Sequence, residues 1–306
     1  MNNLSMHNVG LFLRLSRPFF LLGGFLLYGL GAAILIFLDI PIDPELYLLG
    51  QLAVTFIQLM THYLNEYFDA DADRANDSRT PITGGSGVLG PGGLPYRIAL
   101  YAAAFSLAIA ATIAILMLIN GSVPVLAWMI LMLIFLGAFL YNIPPIKLIT
   151  SGYGEVSTSV LVAGLLPIFA FVLQTGEFHR LLIMSSTPLI ALHFAMMIVF
   201  ELPDYSNDLK FDKQTLLVRI GWSTAMRLHD FAILFAAGSV LAAFLFGLPQ
   251  RVVIGMTITL PLAVAQVWQI SRIRKGYKPR WRTITFSGLA LFGLTTYLQI
   301  IGFVVQ

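Results

Sequence analysis

The chain has 306 residues, of which 58% are hydrophobic and only 11% charged, and its mean hydropathy is +0.84. So little charge cannot cover the surface of a soluble domain of this size, and the composition predicts a polytopic membrane protein. No cysteine is present, which excludes disulfides, thiolate nucleophiles, Cys-ligated zinc and iron–sulfur clusters, and the net charge of +3 sits in short loops between apolar runs, the pattern of positive-inside bias and not of a nucleic-acid binder.

The chain opens with MNNLSMHNVGLFLRLSRP and continues into an apolar run over 19–38. That run exceeds a signal-peptide core and lacks a small-residue cleavage site, so it is read as a retained first membrane helix. With no Arg/Ser-rich transit segment, the chain fits the inner membrane of a prokaryote. Nine helices are predicted, over 18–38, 46–68, 98–119, 122–141, 156–174, 181–202, 229–248, 252–271 and 283–305. Most have the length a bilayer core demands at about 1.5 Å per residue. Arg227, His229 and Asp230 crowd the start of the seventh. With the N-terminus in the cytoplasm, all but Arg180 and Arg251 of the 18 basic residues fall inside. This asymmetry sets the orientation and supports an odd number of spans. The expectation is one all-α domain over 1–306, with cytoplasmic loops 69–97 and 203–228 bearing the active-site motifs.

Two of those cytoplasmic helix ends are unusually acidic. NEYFDADADRAND follows the second helix with Glu66, Asp69, Asp71, Asp73 and Asp77. ELPDYSNDLKFDK ends the sixth with Glu201, Asp204, Asp208 and Asp212. The offset of four helices hints at a duplicated unit with a ninth helix added. Asn65, Asp69 and Asp73 are four apart, as are Asp204, Asp208 and Asp212, so each set shares a helix face. Pro203 suits the first position of a fresh helical turn. Like charges stacked in this way repel, at a cost that rises near a membrane, and a hard divalent cation offsets it. Oxygen-only ligands favour Mg2+, which binds through a few carboxylates plus substrate phosphates. Two facing rows can therefore hold a diphosphate between metals. The bland alternative is a solvated helix end, a reading that suits Asp71 or Asp77 singly and not two rows of equal spacing on the same side.

These residues resemble the UbiA superfamily of intramembrane prenyltransferases, over nearly the whole chain. The family's N-x3-D-x3-D motif corresponds to Asn65, Asp69 and Asp73, and its D-x3-D motif to Asp204 and Asp208. DKQTLLVRIG over 212–221 resembles the G-K-x-T-L-x-V-x-x-G run of the 1,4-dihydroxy-2-naphthoate (menaquinone) branch, with Asp212 in place of glycine. YNIPPIKL over 141–148 is similar to the family's Tyr-Pro-Pro-Lys/Arg loop, with Tyr141 and Lys147 six apart where some members have four. The resemblance implies that Mg2+ on Asp69, Asp73, Asp204 and Asp208 binds a polyprenyl diphosphate. The allylic C–O bond ionises with diphosphate leaving, and the cation alkylates an aromatic acceptor, which then loses a proton. The prenyl tail would lie among the helices or in membrane lipid, and no obligate protein partner is implied.

Other residues carry two readings each. Arg79, Lys147 and Lys213 are placed to clamp phosphate oxygens, although positive-inside bias alone puts cations there. Asn65 and Asp212 extend the two rows as substrate contacts. Tyr141 is either a cation-stabilising ring or an interfacial anchor. The glycine-rich stretch SRTPITGGSGVLGPGG over 78–93 is either a lid over the diphosphate or a plain connection. Buried His62 is a candidate to bind the acceptor or orient an aspartate, and Gln58 would share its face. His193 is read as a packing residue, and Met196 and Met197 as core or lipid contacts. Acceptors other than naphthoate (4-hydroxybenzoate, homogentisate, a tetrapyrrole or a glycerol lipid) remain open. From other classes there remain a divalent-cation transporter and a catalytically dead lipid-binding relative. Transport is disfavoured because Asp and Glu stop at the helix ends.

Overall fold

A bilayer offers the backbone no hydrogen-bond partners, so apolar runs of this length must close their bonds internally as helices. The computed structural model describes residues 2–119, 121 and 123–305, and among these there is no strand, only an isolated Leu89–Leu94 bridge. The helices are α1 (Asn2–Leu15), α2 (Pro18–Phe37), α3 (Pro44–Arg74), α4 (Tyr96–Ile119) and α5 (Val125–Asn142), then α6 (Gly154–Thr175), α7 (Arg180–Lys210) and the short α8 (Leu216–Ile220), and finally α9 (Trp222–Leu245), α10 (Gln250–Arg274) and α11 (Trp281–Val304).

Eight of the described helices are long and apolar enough to cross a membrane: α2, α4, α5, α6, α7, α9, α10 and α11. The polytopic all-α reading stands. The remaining expected span, α3, falls short in hydropathy because it carries Gln51, Gln58, Thr61 and His62. Those residues face the interior: Gln51 is buried, and the other three line the central cavity.

Several boundaries differ from the sequence reading. The N-terminal segment is helical, as α1, with Met6, Val9 and Leu13 exposed along one side. Arg17, in the left-handed region at φ 49°, turns the chain from α1 into α2. Helix α3 runs six residues past the expected 68, because the acidic stretch stays helical. Pro203 sits within a single 3-10 turn, Leu202–Asp204, and the helix resumes at Tyr205. Helix α9 starts at Trp222, well before 229. Helix α10 breaks at Thr259, just before Pro261, whose ring cannot continue the ladder. At the break the Met256 carbonyl accepts from both the Thr259 N–H, at 3.2 Å, and the Thr259 hydroxyl, at 2.7 Å.

Helices α2, α3, α5, α6, α7 and α11 form a ring around one cavity, to which all six contribute lining. Outside it, α4 packs on α3, α9 on α7, and α10 on α11. Without a hydrophobic drive between helices in lipid, close backbone approach holds such bundles together. Gly31 on α2 is such a point: a Cβ there would meet the Pro167 carbonyl and the Ala170 methyl of α6. A Gly31→Leu variant is expected to separate α2 from α6 and cost about 1–3 kcal/mol. The check is a lowered unfolding temperature in detergent, beside an unaffected Gly29→Leu control, whose Cβ position is open.

Candidate active site

The last turns of α3 carry Asn65, Asp69 and Asp73 on the face that looks into the cavity. The end of α7 carries Asp204 and Asp208 on the opposing wall, with Glu201 one turn earlier. The two walls are tied together directly. Asn76, just past α3, donates to Asp204 Oδ1 at 2.7 Å, and Asn207 donates to the Ala72 carbonyl at 3.0 Å. Asn65 donates to Asp69 Oδ2 and to Asn142 Oδ1, both at 3.3 Å. Asn142 in turn donates to the Thr61 carbonyl at 3.0 Å, which fixes α5 against α3.

Cations pair with Asp69. Lys213 Nζ lies 3.0 Å from Asp69 Oδ2, and Lys147 Nζ lies 3.4 Å from Asp69 Oδ1. Burial alone would lower the Lys213 pKa, but the fields of Asp69 and Asp73 outweigh it and hold the ammonium above the usual lysine range. Arg17 also lines the cavity. Burial opposes its charge, while Glu66 and Asp73 more than compensate and raise its pKa.

The remaining expected residues fall into two groups. Tyr141 lines the cavity with its hydroxyl bonded to Thr158. His62 lines it too, its Nδ1 donating to the Ser16 carbonyl at 3.2 Å. Three others stand apart from the cavity wall. Lys147 reaches Asp69 from the loop that holds the cis Pro144–Pro145 bond. Arg79 donates to the Asp73 carbonyl and lines a separate space of about 90 Å3. Asp212 is not brought to the aspartate row: it is exposed at φ 51° and accepts from Gln214 at 2.9 Å. The i+4 spacing fails there because α7 ends at Lys210.

Arg17, Asn76, Asn207 and Glu155 were not singled out from sequence. Asn76 lies inside the quoted acidic stretch, and that proximity was its only signal. Glu155 accepts from the Leu216 N–H at 2.9 Å, a contact over 61 residues that no local pattern announces. His193 packs edge-on against Phe292 and bonds Ser159, as expected of a packing residue, yet it also lines the cavity.

The cavity holds about 400 Å3. Its polar end carries every charged lining residue: Arg17, Asp69, Asp73, Glu201, Asp204, Asp208 and Lys213. The deeper walls are mainly apolar, with Leu26, Val54, Ile57, Ile134 and Leu166. Among the described residues, no three carboxylate or imidazole groups converge closely enough to hold a metal ion alone. The donor set is oxygen-only and divided between two walls. It fits a hard cation whose shell is completed by phosphate oxygens.

The model of the UbiA prenyltransferase family matches residues 25–292. The chain belongs to that family. Prenyl transfer is accordingly its enzymatic class. A UbiA relative, 1,4-dihydroxy-2-naphthoate octaprenyltransferase of Bacillus subtilis (strain 168), is 24% identical over 249 residues, 80% of this chain and 73% of that one. Among solved structures, a UbiA homologue from Archaeoglobus fulgidus bound to DMAPP and Mg2+ superposes with TM-score 0.69 at 18% identity, covering 96% of this chain and 97% of that one. The same homologue bound to GPP and Mg2+ gives TM-score 0.66 at 19% identity, covering 96% and 98%. A digeranylgeranylglyceryl phosphate synthase gives 0.64 at 16% identity, covering 98% and 99%. These likenesses establish the UbiA fold across nearly the whole chain.

The Lys213–Asp69 pair yields a stability prediction. A Lys213→Met substitution leaves the carboxylates without their nearest cation and should cost about 3 kcal/mol. Because folding raises the Lys213 pKa, its contribution is complete below the unfolded-state value of about 10.4 and is lost only as pH rises through the folded one. The gap between the unfolding temperatures of wild type and variant should therefore be constant from about pH 8 to 9.5 and narrow at lower pH, as the facing carboxylates take up protons.

Proposed function

We propose that this protein transfers a polyprenyl group from polyprenyl diphosphate to 1,4-dihydroxy-2-naphthoate at the cytoplasmic face of a prokaryotic inner membrane, in menaquinone synthesis, with Mg2+ as cofactor. The observation that carries the reading is the placement of Asp69 and Asp73 opposite Asp204 and Asp208 at the mouth of a cavity lined mainly by apolar residues. The four carboxylates would hold Mg2+, which supplies charge neutralisation for the departing diphosphate.

The chain's own groups do the rest. Lys213, held charged between the rows, donates to phosphate oxygens, and Arg17 and Lys147 add positive charge beside it. The apolar depth takes the prenyl chain and excludes water from the allylic carbon. Tyr141, on the cavity wall, offers its ring to the allylic cation. For the acceptor, the supporting observation is that the run 212–221 enters the site: Lys213 and Thr215 both line the cavity. The Bacillus subtilis relative acts, by its name, on the same acceptor. Transport is disfavoured by the lining, whose charged residues stop at the polar end.

The test is a product scan. Protein in lipid receives Mg2+, geranylgeranyl diphosphate and a panel of acceptors, with and without EDTA, and adducts are sought by mass spectrometry. The expected product is a prenylated naphthoate derivative that disappears with EDTA and in Asp69→Asn. An adduct with a different acceptor would keep the class and overturn the naphthoate assignment.

A further inference from the structure

Glu66 belongs to the acidic stretch but not to its metal-facing row, and the proposed chemistry leaves it without a role. It is 2% exposed, a carboxylate buried beside the site. Arg17 Nε donates to its Oε1 at 2.6 Å, with the terminal guanidinium nitrogen also on that oxygen. The other partner is the glycine-rich loop. The Ser86 N–H donates to Oε1 at 2.8 Å, and the Ser86 hydroxyl donates to Oε2 at 2.6 Å. From the opposite side, Arg14 of α1 donates to the Ser86 carbonyl at 3.3 Å. Ser86 is thus held by its N–H, its hydroxyl and its carbonyl.

Residues adjoining Ser86 touch the aspartate row. Gly84 and Gly85 line the main cavity, and both adopt positive φ, 78° and 73°. A Cβ on Gly85 would strike the Asp73 carboxylate, and one on Gly84 would sit 2.7 Å from Asn76 Nδ2, the group bonded to Asp204. The loop therefore lies against both walls of the site where they meet. Charge-assisted bonds to a buried carboxylate are the strongest ties available for holding such a segment.

We propose that Glu66, set by Arg17, is a positioning residue that pins Ser86 and so fixes the Gly84–Gly85 backbone beside the aspartate rows, where it completes the diphosphate pocket. The kinetic part of this inference rests on the prenyl-transfer reading; the structural part does not. Glu66 neither ligates metal nor contacts the reacting carbons. Losing it should weaken diphosphate binding more than turnover.

Limited trypsin digestion in lipid, read by mass spectrometry at the Arg79–Thr80 bond inside the loop, tests the pin without requiring activity. Glu66→Ala should be cut there faster than wild type. So should Ser86→Ala, which leaves the Arg17–Glu66 pair in place and guards against a general folding defect. Glu66→Gln, which keeps an acceptor oxygen for Ser86, should recover part of the protection. In steady-state assays Glu66→Ala should raise KM for prenyl diphosphate about tenfold or more, the worth of one charge-assisted hydrogen bond, with a smaller fall in kcat. Exposed Glu177, changed to Gln, should alter neither. Wild-type cleavage rates in both Glu66→Ala and Ser86→Ala would overturn the pin, whatever the kinetics. Faster cleavage with unchanged KM would show a pinned loop that does not shape the pocket, and would overturn the positioning role. If wild type transfers no prenyl group to any acceptor, the prenyl-transfer reading falls and the cleavage rates alone decide the pin.

Discussion

Repulsion between stacked carboxylates is the constraint on which the site depends. Asp69 and Asp73 are one turn apart on α3, Asp204 and Asp208 one turn apart on α7, and hydrogen bonds bring the two pairs together. Four acidic groups at the rim of a low-dielectric bundle are unfavourable unless positive charge is supplied. The protein supplies part of it, through Lys213, Lys147 and Arg17. The rest is consistent with a cation that arrives with its phosphate ligands. A site that is incomplete by itself binds a charged substrate and its metal together, which is the economy of phosphoryl-type clamps in general.

The bilayer accounts for the remainder of the architecture. Every polar residue inside the ring of helices needs a partner, and most have one: Gln58 donates to the Phe20 carbonyl at 2.8 Å, and Thr61 to the Ile57 carbonyl at 2.9 Å. Ser159 donates to the Glu155 carbonyl at 2.6 Å and meets His193 at 3.0 Å. With those polar groups closed on protein partners, the walls below the charged mouth are mainly apolar, suited to an isoprenoid chain. The same cavity therefore offers two solvents, one ionic and one hydrocarbon, which matches a substrate that is a diphosphate at one end and a lipid at the other.

Much of this was legible in the sequence, for identifiable reasons. Helix lengths follow from bilayer thickness, and the aspartate rows follow from the four-residue repeat, because both are local periodicities. Long-range closure was not legible. Arg17 enters the site only because α1 and α2 are joined through a left-handed residue. Asn76 matters only because α7 comes within reach of it. Asp212 was placed on the row by spacing alone, and the helix ends before that spacing can act. The glycine stretch announced a loop. That it would rest on Asp73 could not be read without knowing where Glu66 pointed.

In the proposed reaction the two aspartate pairs act as one diphosphate site. The most direct test is calorimetric binding of a non-reactive prenyl thiolodiphosphate to protein in lipid nanodiscs, with Mg2+ and with EDTA, in a double-mutant cycle of Asp69→Asn and Asp208→Asn. A shared site predicts Mg2+-dependent binding that either single substitution nearly abolishes, so that the double variant loses little more and the cycle shows strong coupling. Metal-independent binding, or losses that simply add, would contradict it.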